Sequence, residues 1–291
     1  MIKQDIVTPW RSVTKGVPQG SCLSPLLFNI YVRDLPACST SNTWQFADDV
    51  TQSEADDNID SVLNKLSISF QVTKKFCLDR QLAINDSKTQ FIIFKSPAKK
   101  IPDTVQLQLD SCTITAQMHV KLLGVTLDRH LTFKDHISTT INTCNGLLGV
   151  LKRISHFLPR NLAKLFYTAM IRSHLEYASS LLVPVAKVHL DKLDVVQRKA
   201  ARIIFQTPSD SHADPLLCQL GLQALHERRV KHLVDLVRSC VELHCQPDLM
   251  GKFCKTSNSS DELSLPSVRT QMGKKRFSYY GTLNYNNAAS K

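Results

Sequence analysis

Hydrophobic residues follow a helical spacing through most of the second half of the chain. Beyond residue 130 they recur every three or four positions in four stretches, a spacing typical of amphipathic helices. Pro159 separates the first stretch from the second. The stretches run from Ile137 to Leu158, from Leu162 to Ser173, from Leu190 to Ile204 and from Leu225 to Val241. The pattern predicts a helical region over 131–250, followed by an irregular basic tail over 251–291.

The first 130 residues mix helical and strand patterns. Ser24-Pro25 is typical of a helix start, with Ser24 as N-cap and Pro25 at the first helical position. A second apolar stripe, from Ile59 to Cys77, predicts a longer helix. Short β-prone runs predict extended strands over 6–17, 44–51, 90–94 and 105–109. Further short strands are predicted at Ile114 and over 120–127, with Gly124 inside the last of them. This mixture predicts an α+β fold.

The run over 44–51 is interrupted by two adjacent carboxylates, Asp48 and Asp49. Such a run predicts a tight β-hairpin that presents both aspartates outward, with the aromatic ring of Phe46 packed beneath. Outward carboxylates are ligands for a divalent cation such as Mg²⁺. Taken alone, the same four residues, Phe46-Ala47-Asp48-Asp49, also fit a solvated acidic turn.

Composition indicates a folded chain without a membrane partner. Hydrophobic residues make up 43% of the 291 residues, which is enough for a core. There is no apolar run of about 18 residues and no apolar N-terminal leader, so we expect an intracellular protein, in nucleus or cytoplasm. Nine cysteines without a CxxC pair predict free thiols. A zinc site is the alternative, although its candidates have unfavourable spacing: Cys240, His244, Cys245 and Cys254.

Positive charge is concentrated in the second half. Residues 1–130 carry 14 Lys and Arg against 13 Asp and Glu, whereas residues 131–291 carry 22 against 12. A net charge of +10 favours a polyanionic partner, and a generally basic surface is the alternative. Four cations partly share one face of the third predicted helix, where they either contact phosphates or form a charged outer face: Lys192, Arg198, Lys199 and Arg202.

Two neighbouring motifs carry a resemblance to a known family. The thirteen residues from Gly16 to Phe28, read with the Phe46–Asp49 motif that follows at the appropriate spacing, resemble the reverse transcriptases of non-LTR (LINE-type) retrotransposons. Residues 82–94 resemble the next motif of the family, and residues 121–128 resemble the strand pair that follows the palm. Pieces of the helical half also resemble the downstream region.

The resemblance implies a partial polymerase palm, an antiparallel sheet with helices, over 1–130 and a thumb-like helical domain over 131–250. The family activity is RNA-directed DNA polymerisation, which uses an RNA template, a DNA primer, dNTPs and Mg²⁺. By this resemblance Asp48 and Asp49 bind metal, and Lys88 donates a proton or is simply a solvated turn lysine. Four further residues contact the nucleotide or template: Gln19, Gly20, Phe46 and Ala47.

The resemblance has one important gap. The fingers and the first catalytic aspartate of the family have no counterpart here. We therefore expect a reverse transcriptase fragment that is weak or inactive alone. The alternatives are a non-enzymatic nucleic-acid-binding remnant or domesticated protein, which uses the basic half, and the tail of a longer polypeptide.

Overall fold

The structure, a computed structural model, describes residues 16–109, 112–242, 249, 251–256, 262–270 and 273–289. The predicted strand over 6–17 lies almost wholly outside them. The described chain divides into two compact units, one formed by residues up to Phe91 with Ile101–Gln117, the other by Ile92–Lys100 with residues from Met118 onward. Helices and small antiparallel sheets confirm the α+β class. No described helix is both long enough and apolar enough to cross a membrane.

The first unit combines three helices with two separate hairpins. Strand β1 pairs antiparallel with β2, and β3 pairs antiparallel with β4. In chain order the elements are α1 (Ser24–Val32), α2 (Leu35–Cys38), β1 (Asn42–Phe46), β2 (Asp49–Ser53), α3 (Ile59–Asp79), a 3₁₀ turn (Asp86–Lys88), β3 (Gln106–Gln108) and β4 (Thr113–Thr115).

Helix α1 begins at the predicted place but not with the predicted cap. Leu23 occupies the N-cap position without a side-chain bond, and Ser24 is already helical. The Ser24 hydroxyl instead donates to the carbonyl of Pro18 at 2.5 Å, so it fixes the preceding loop. Pro25 lies in the first turn as predicted, where its missing N–H costs nothing.

A small apolar cluster holds α3 against α2. Phe76 and Cys77 of α3 are buried with Leu35, and Leu82 and Ile84 pack against them. Asn58 caps the helix by accepting a hydrogen bond from the amide of Asp60 at 2.9 Å. Beyond the helix the Arg80 guanidinium lies 3.8 Å from the centroid of the Phe76 ring, covering one side of the cluster.

Two strand predictions need correction. The run over 90–94 forms no regular strand. Its backbone contacts are scattered: Phe91 O accepts from Gln117 N, and beyond the run Lys95 N donates to Arg129 O. Gly124 lies outside any strand. With Leu123 it forms a two-residue turn in which both residues have positive φ, the geometry that favours glycine in tight hairpins.

The second unit contains one hairpin followed by helices. The four predicted helical stretches are confirmed, the second of them interrupted by a π-helix. In order the elements are β5 (His119–Leu122), β6 (Val125–Asp128), α4 (Lys134–Ile154), α5 (Arg160–Phe166), the π-helix (Tyr167–Arg172), α6 (Ser173–Glu176), α7 (Ser179–Leu182), α8 (Lys187–Phe205), α9 (Ala213–Gln219), α10 (Leu225–Glu242), a 3₁₀ turn (Gly273–Lys275) and α11 (Phe277–Ala289).

The hairpin β5–β6 belongs to the helical unit, so the division of the chain falls before it and not at residue 130. Val125 is buried in the helical core and Leu127 packs against it. The Asp128 carboxylate fixes the junction to α4, accepting from the amides of His130 and Phe133 and from the Thr132 hydroxyl at 2.7 to 3.1 Å. Burial raises the pKa of Asp128, but these hydrogen bonds outweigh it and hold the pKa below its usual value.

Helix α8 forms the centre of the second unit. It packs against α4, α5, α9 and α10. Its one buried polar side chain within the helix is Gln197, whose Oε1 accepts from the Tyr167 hydroxyl at 2.7 Å and whose Nε2 donates to the Gln223 carbonyl at 3.1 Å. Both polar ends are therefore satisfied. The buried apolar side chains of α8 are Leu193, Val196, Ala200, Ala201 and Ile204.

The C-terminal region contains a helix in place of the predicted irregular chain. Helix α11 packs closely on α10 at a glycine. A Cβ atom on Gly281 would lie 2.9 Å from Cγ2 of Val237 and 3.2 Å from Cε1 of Phe253. Phe253 in turn meets the ring of Phe277 edge to face, with the ring centroids 5.5 Å apart. The absence of a side chain at position 281 is what permits this approach.

Replacing Gly281 with alanine should reduce the free energy of unfolding by about 1–3 kcal/mol, because the added methyl group overpacks a closed contact. Gly149→Ala is the matched control. Gly149 is also helical and exposed, and nothing lies within 4 Å of its added Cβ. That variant should gain up to about 1 kcal/mol from helix propensity. Urea denaturation measures both, and equal effects of one sign would contradict the packing argument.

Candidate functional site

The two acidic residues lie at the tip of the β1–β2 hairpin. Phe46 pairs with Asp49, so that Ala47 and Asp48 form a two-residue turn and Asp49 begins β2. Both carboxylates belong to exposed residues. Neither makes a hydrogen bond or ion pair with any residue that the structure describes. Their oxygens are therefore available to a cation.

One half-buried amide anchors this hairpin to α3. The Gln52 Nε2 atom lies 2.8 Å from Thr73 Oγ1, 2.9 Å from Ser69 Oγ and 3.1 Å from Ser39 Oγ. The two serine hydroxyls are themselves 2.6 Å apart. Because an amide carries only two hydrogens, two of these oxygens accept from it at once. A polar cluster, and not an apolar one, sets the position of the acidic tip.

Phe46 does not pack beneath the aspartates, which corrects the prediction. Its side chain is 66% exposed, and Trp44, two positions earlier on the same face of β1, is 48% exposed. Three residues of α1 are likewise more than half exposed: Leu26, Leu27 and Ile30. The first unit thus presents large apolar side chains on its surface, in addition to its small apolar cluster between α2 and α3.

The loop before α1 carries Gln19 and Gly20, and both are exposed. Gly20 has a φ of +87°, a conformation that glycine adopts without steric cost. The Pro18 carbonyl shapes the loop by accepting from the Ser24 hydroxyl and from the Ser21 amide at 3.4 Å. Among the described residues no hydrogen bond joins this loop to the hairpin tip.

Lys88 ends the 3₁₀ turn, which is capped by Asn85. The Asn85 Oδ1 atom accepts from the Lys88 amide at 3.3 Å and from the Ser87 hydroxyl at 2.7 Å. The cap fixes the backbone while the Lys88 side chain remains exposed. Its ammonium forms no ion pair with a described carboxylate, and no described contact brings it to Asp48.

Residues 4–127 match the family model described as reverse transcriptase (RNA-dependent DNA polymerase), a range that includes the hairpin, the glycine loop and Lys88. This segment is therefore similar to reverse transcriptases. The resemblance to non-LTR retrotransposons is confirmed. The small antiparallel sheets and helices of the segment are consistent with a partial palm.

Several curated RNA-directed DNA polymerases are similar to the reverse transcriptase segment and the helical region together. The probable polymerase from transposon BS of Drosophila melanogaster is 25% identical over 76% of this chain and 26% of its own length. That of the mobile element jockey of Drosophila funebris is 26% identical over 78% of this chain and 27% of its own length. The chain thus spans about a quarter of these relatives. No solved structure matches it significantly.

The donors for a metal at this reverse transcriptase hairpin are two adjacent carboxylates. Carboxylate oxygen is the ligand type that Mg²⁺ prefers, so the donor chemistry fits. The described part of the chain contains no group of three or more His, Cys, Asp or Glu that is placed to hold a metal ion. Of the zinc candidates, Cys240 is fully buried, Cys254 is exposed, and His244 and Cys245 lie outside the described residues.

The predicted phosphate contacts of the helical region divide into two pairs. Lys192 and Lys199 are exposed on one face of α8, and neither pairs with a described carboxylate. Arg202 is engaged, because its Nε donates to the Ser211 carbonyl at 2.8 Å. Arg198 lies 4.0 Å from a carboxylate oxygen of Asp214.

A second group of cations was not predicted from the sequence. It lies where α4 ends and α5 begins, around the strongly exposed ring of Phe157. The available signal was the absence of any Asp or Glu between Asp135 and Glu176. These cations lie on both sides of the break between α4 and α5, so they do not share the face of any one helix. Its cations are Lys152, Arg153, Arg160 and Lys164.

Ala47→Gly should stabilise the acidic hairpin locally. Ala47 has a φ of +52°, which is costly for a residue with a Cβ and free for glycine. We expect the hydrogen-exchange protection of the paired residues Trp44 and Thr51 to rise about two- to fivefold, equivalent to about 0.5–1 kcal/mol. Ala47→Val, which adds a β-branch at the same φ, should lower it. Equal protection in all three proteins would exclude backbone strain at this turn.

Proposed function

We propose that this chain is a segment of an RNA-directed DNA polymerase from a non-LTR retrotransposon, with little or no polymerising activity alone. The observation that carries the proposal is the pair Asp48–Asp49, exposed and unpaired among described residues, at the tip of a hairpin within a reverse transcriptase segment. The relatives named as RNA-directed DNA polymerases support the activity class.

Asp48 is the chief metal ligand in this proposal, and Asp49 is its neighbour. Bound Mg²⁺ would activate a primer hydroxyl and steady the leaving pyrophosphate. Nucleotidyl transfer of this kind uses two metal ions, which need more ligands than two carboxylates provide. The limited donor set is the physical reason for expecting weak activity.

The other proposed contacts come from the loop before α1, from the hairpin itself and from the 3₁₀ turn. Gln19 and Gly20 contact the incoming nucleotide or template through a loop whose exposed backbone can approach closely. Phe46 and Ala47 lie in the same motif as the aspartates and face solvent. Lys88 is placed on a capped turn as a donor of charge or a proton to the leaving group. The substrates are an RNA template, a DNA primer and dNTPs.

Primer extension tests this proposal directly. The purified chain, a DNA primer on an RNA template and dNTPs are incubated with Mg²⁺ or Mn²⁺, beside Asp48→Ala. We expect no sustained extension by either protein, with folding verified by circular dichroism. Extension by the parent chain that disappears in Asp48→Ala would show a complete polymerase site and overturn the expectation of weakness. Extension that persists in the variant would remove Asp48 from the site.

Nucleic-acid binding without catalysis is the second candidate function. The net charge of +10 over residues 131–291 favours it. On α8, Lys192 and Lys199 make no ion pair with a described carboxylate. Such binding depends on phosphate neutralisation and counterion release, so it does not require the acidic hairpin. Substitutions at Asp48 or Asp49 would therefore affect polymerisation, and substitutions of the cations in 131–291 would affect binding.

Salt dependence of RNA binding tests the second candidate. If cations of the helical half hold the phosphates, the affinity should fall steeply between 50 and 200 mM salt, with a log–log slope of about −0.7 for each phosphate neutralised. Asp48→Ala should bind as the parent does. Fluorescence anisotropy of a labelled RNA provides the measurement, and a flat salt profile would eliminate this function.

A further inference from the structure

The cations around the α4–α5 junction form a surface that the acidic hairpin does not involve. We name residues 152–164 the basic corner, and they lie wholly within the second unit. The corner consists of the last turn of α4, the connecting segment and the first turn of α5. It holds four Lys and Arg residues and His156, with no Asp or Glu.

The cations of the corner are not neutralised within the described chain. No described carboxylate lies within 4.0 Å of the charged nitrogens of Lys152, Arg153, Arg160 or Lys164. Helix α8 differs, because Asp191 and Asp194 stand on the same helix as its four cations. A cluster of one sign without counter-charges produces the stronger local potential for an anion.

A pocket of about 240 Å³ opens beside these cations. It is smaller than a typical drug-sized site, which suits a single ring or phosphate group. The ring of Phe205 lines it, and the Arg160 guanidinium lies 4.8 Å from the centroid of that ring. Two amide side chains supply hydrogen-bond donors and acceptors. The lining residues are Arg160, Asn161, Lys164, Phe205, Gln219 and Leu220.

A hydrogen bond from the end of α8 fixes the backbone of the corner. Gln206, at the end of α8, donates from Nε2 to the Ser155 carbonyl at 3.0 Å. Ser155 is itself buried, and its amide donates to the Leu151 carbonyl at 2.8 Å. Phe157, two residues further on, is 86% exposed. A fixed backbone thus carries a large aromatic ring into solvent between two groups of cations.

We propose that the basic corner binds single-stranded nucleic acid, with a base stacked on Phe157. Arg153, Arg160 and Lys164 take the phosphates, and Arg160 and Lys164 lie one helical turn apart, about 5–6 Å between Cβ atoms. An exposed aromatic ring among cations is the arrangement that recognises unpaired bases without strong sequence preference. A duplex hides those bases, so the corner distinguishes single strands from duplexes.

The pocket favours nucleic acid over an anionic membrane as the partner. Asn161 and Gln219 present amides that pair with base edges and find no counterpart in lipid tails. This site is independent of Asp48 and Asp49, and it moves the principal contact away from the predicted cations on α8. The proposal rests on the second candidate function, nucleic-acid binding, and does not depend on the polymerase assignment. Unchanged binding by Phe157→Ala would remove the corner alone, whereas absence of binding by the parent chain would remove both.

The test measures binding of the full chain to a labelled 20-nucleotide single-stranded RNA and to a duplex of the same sequence. Phe157→Ala should weaken single-strand binding about 5- to 150-fold, with the salt slope unchanged and duplex binding little affected. Phe157→Trp should retain single-strand binding. Arg153→Gln with Arg160→Gln should reduce the magnitude of the slope by about 1.4.

The matched control is Lys187→Gln with Lys231→Gln, two exposed cations of α8 and α10 outside the corner, which removes the same charge and should change single-strand affinity less than twofold. Equal weakening by the two double variants would overturn the proposal. So would unchanged binding by Phe157→Ala, or absence of nucleic-acid binding by the parent chain. Binding to phosphatidylserine vesicles that Phe157→Ala abolishes, with RNA binding intact, would assign the corner to a membrane surface instead.

Discussion

Burial of one stripe along helix α8 is the constraint on which the second unit depends. Four other helices pack against it, so that changing its core side chains would disturb most of the unit at once. The stripe also places the satisfied polar pair of Tyr167 and Gln197 at the centre, where an unpaired amide would be costly. Because one face of α8 is committed to this core, most of its charged residues lie on other sides, and Asp194, which is partly buried, pairs with the buried Arg229 of α10 at 3.5 Å.

In the first unit, hydrogen bonds and not a packed helix stripe hold the acidic hairpin. Its hairpin is held by the Gln52 amide among hydroxyls, while Phe46 and the leucines of α1 remain exposed. Hydrogen bonds to Gln52 depend on direction more strictly than apolar contacts do, so they constrain the orientation of a hairpin that presents two carboxylates at its tip. A position set by few bonds also depends heavily on each of them, since losing one partner leaves buried polar atoms unpaired.

Local signals in the sequence were sufficient for most elements and for the acidic tip. Alternation around Asp48 predicted the hairpin, and helical spacing predicted α4, α8 and α10, because each pattern reflects burial of one face. Tertiary contacts decided the rest. The Ser24 hydroxyl bonds to the Pro18 carbonyl instead of capping α1. Helix α11, which contains Gly281, forms although its sequence shows little apolar periodicity. The basic corner was missed because its cations gather across a helix break.

The π-helix from Tyr167 to Arg172 has a consequence for how the chain tolerates length changes. One extra residue per turn is accommodated there, and both Tyr167 and Ile171 remain fully buried. Adding a further residue, or taking α geometry without losing one, would rotate everything beyond the segment by about 100°. Glu176, which binds Arg228 on α10, would then face elsewhere. A deletion of one residue is therefore the length change that this segment absorbs, whereas an insertion is a change of register.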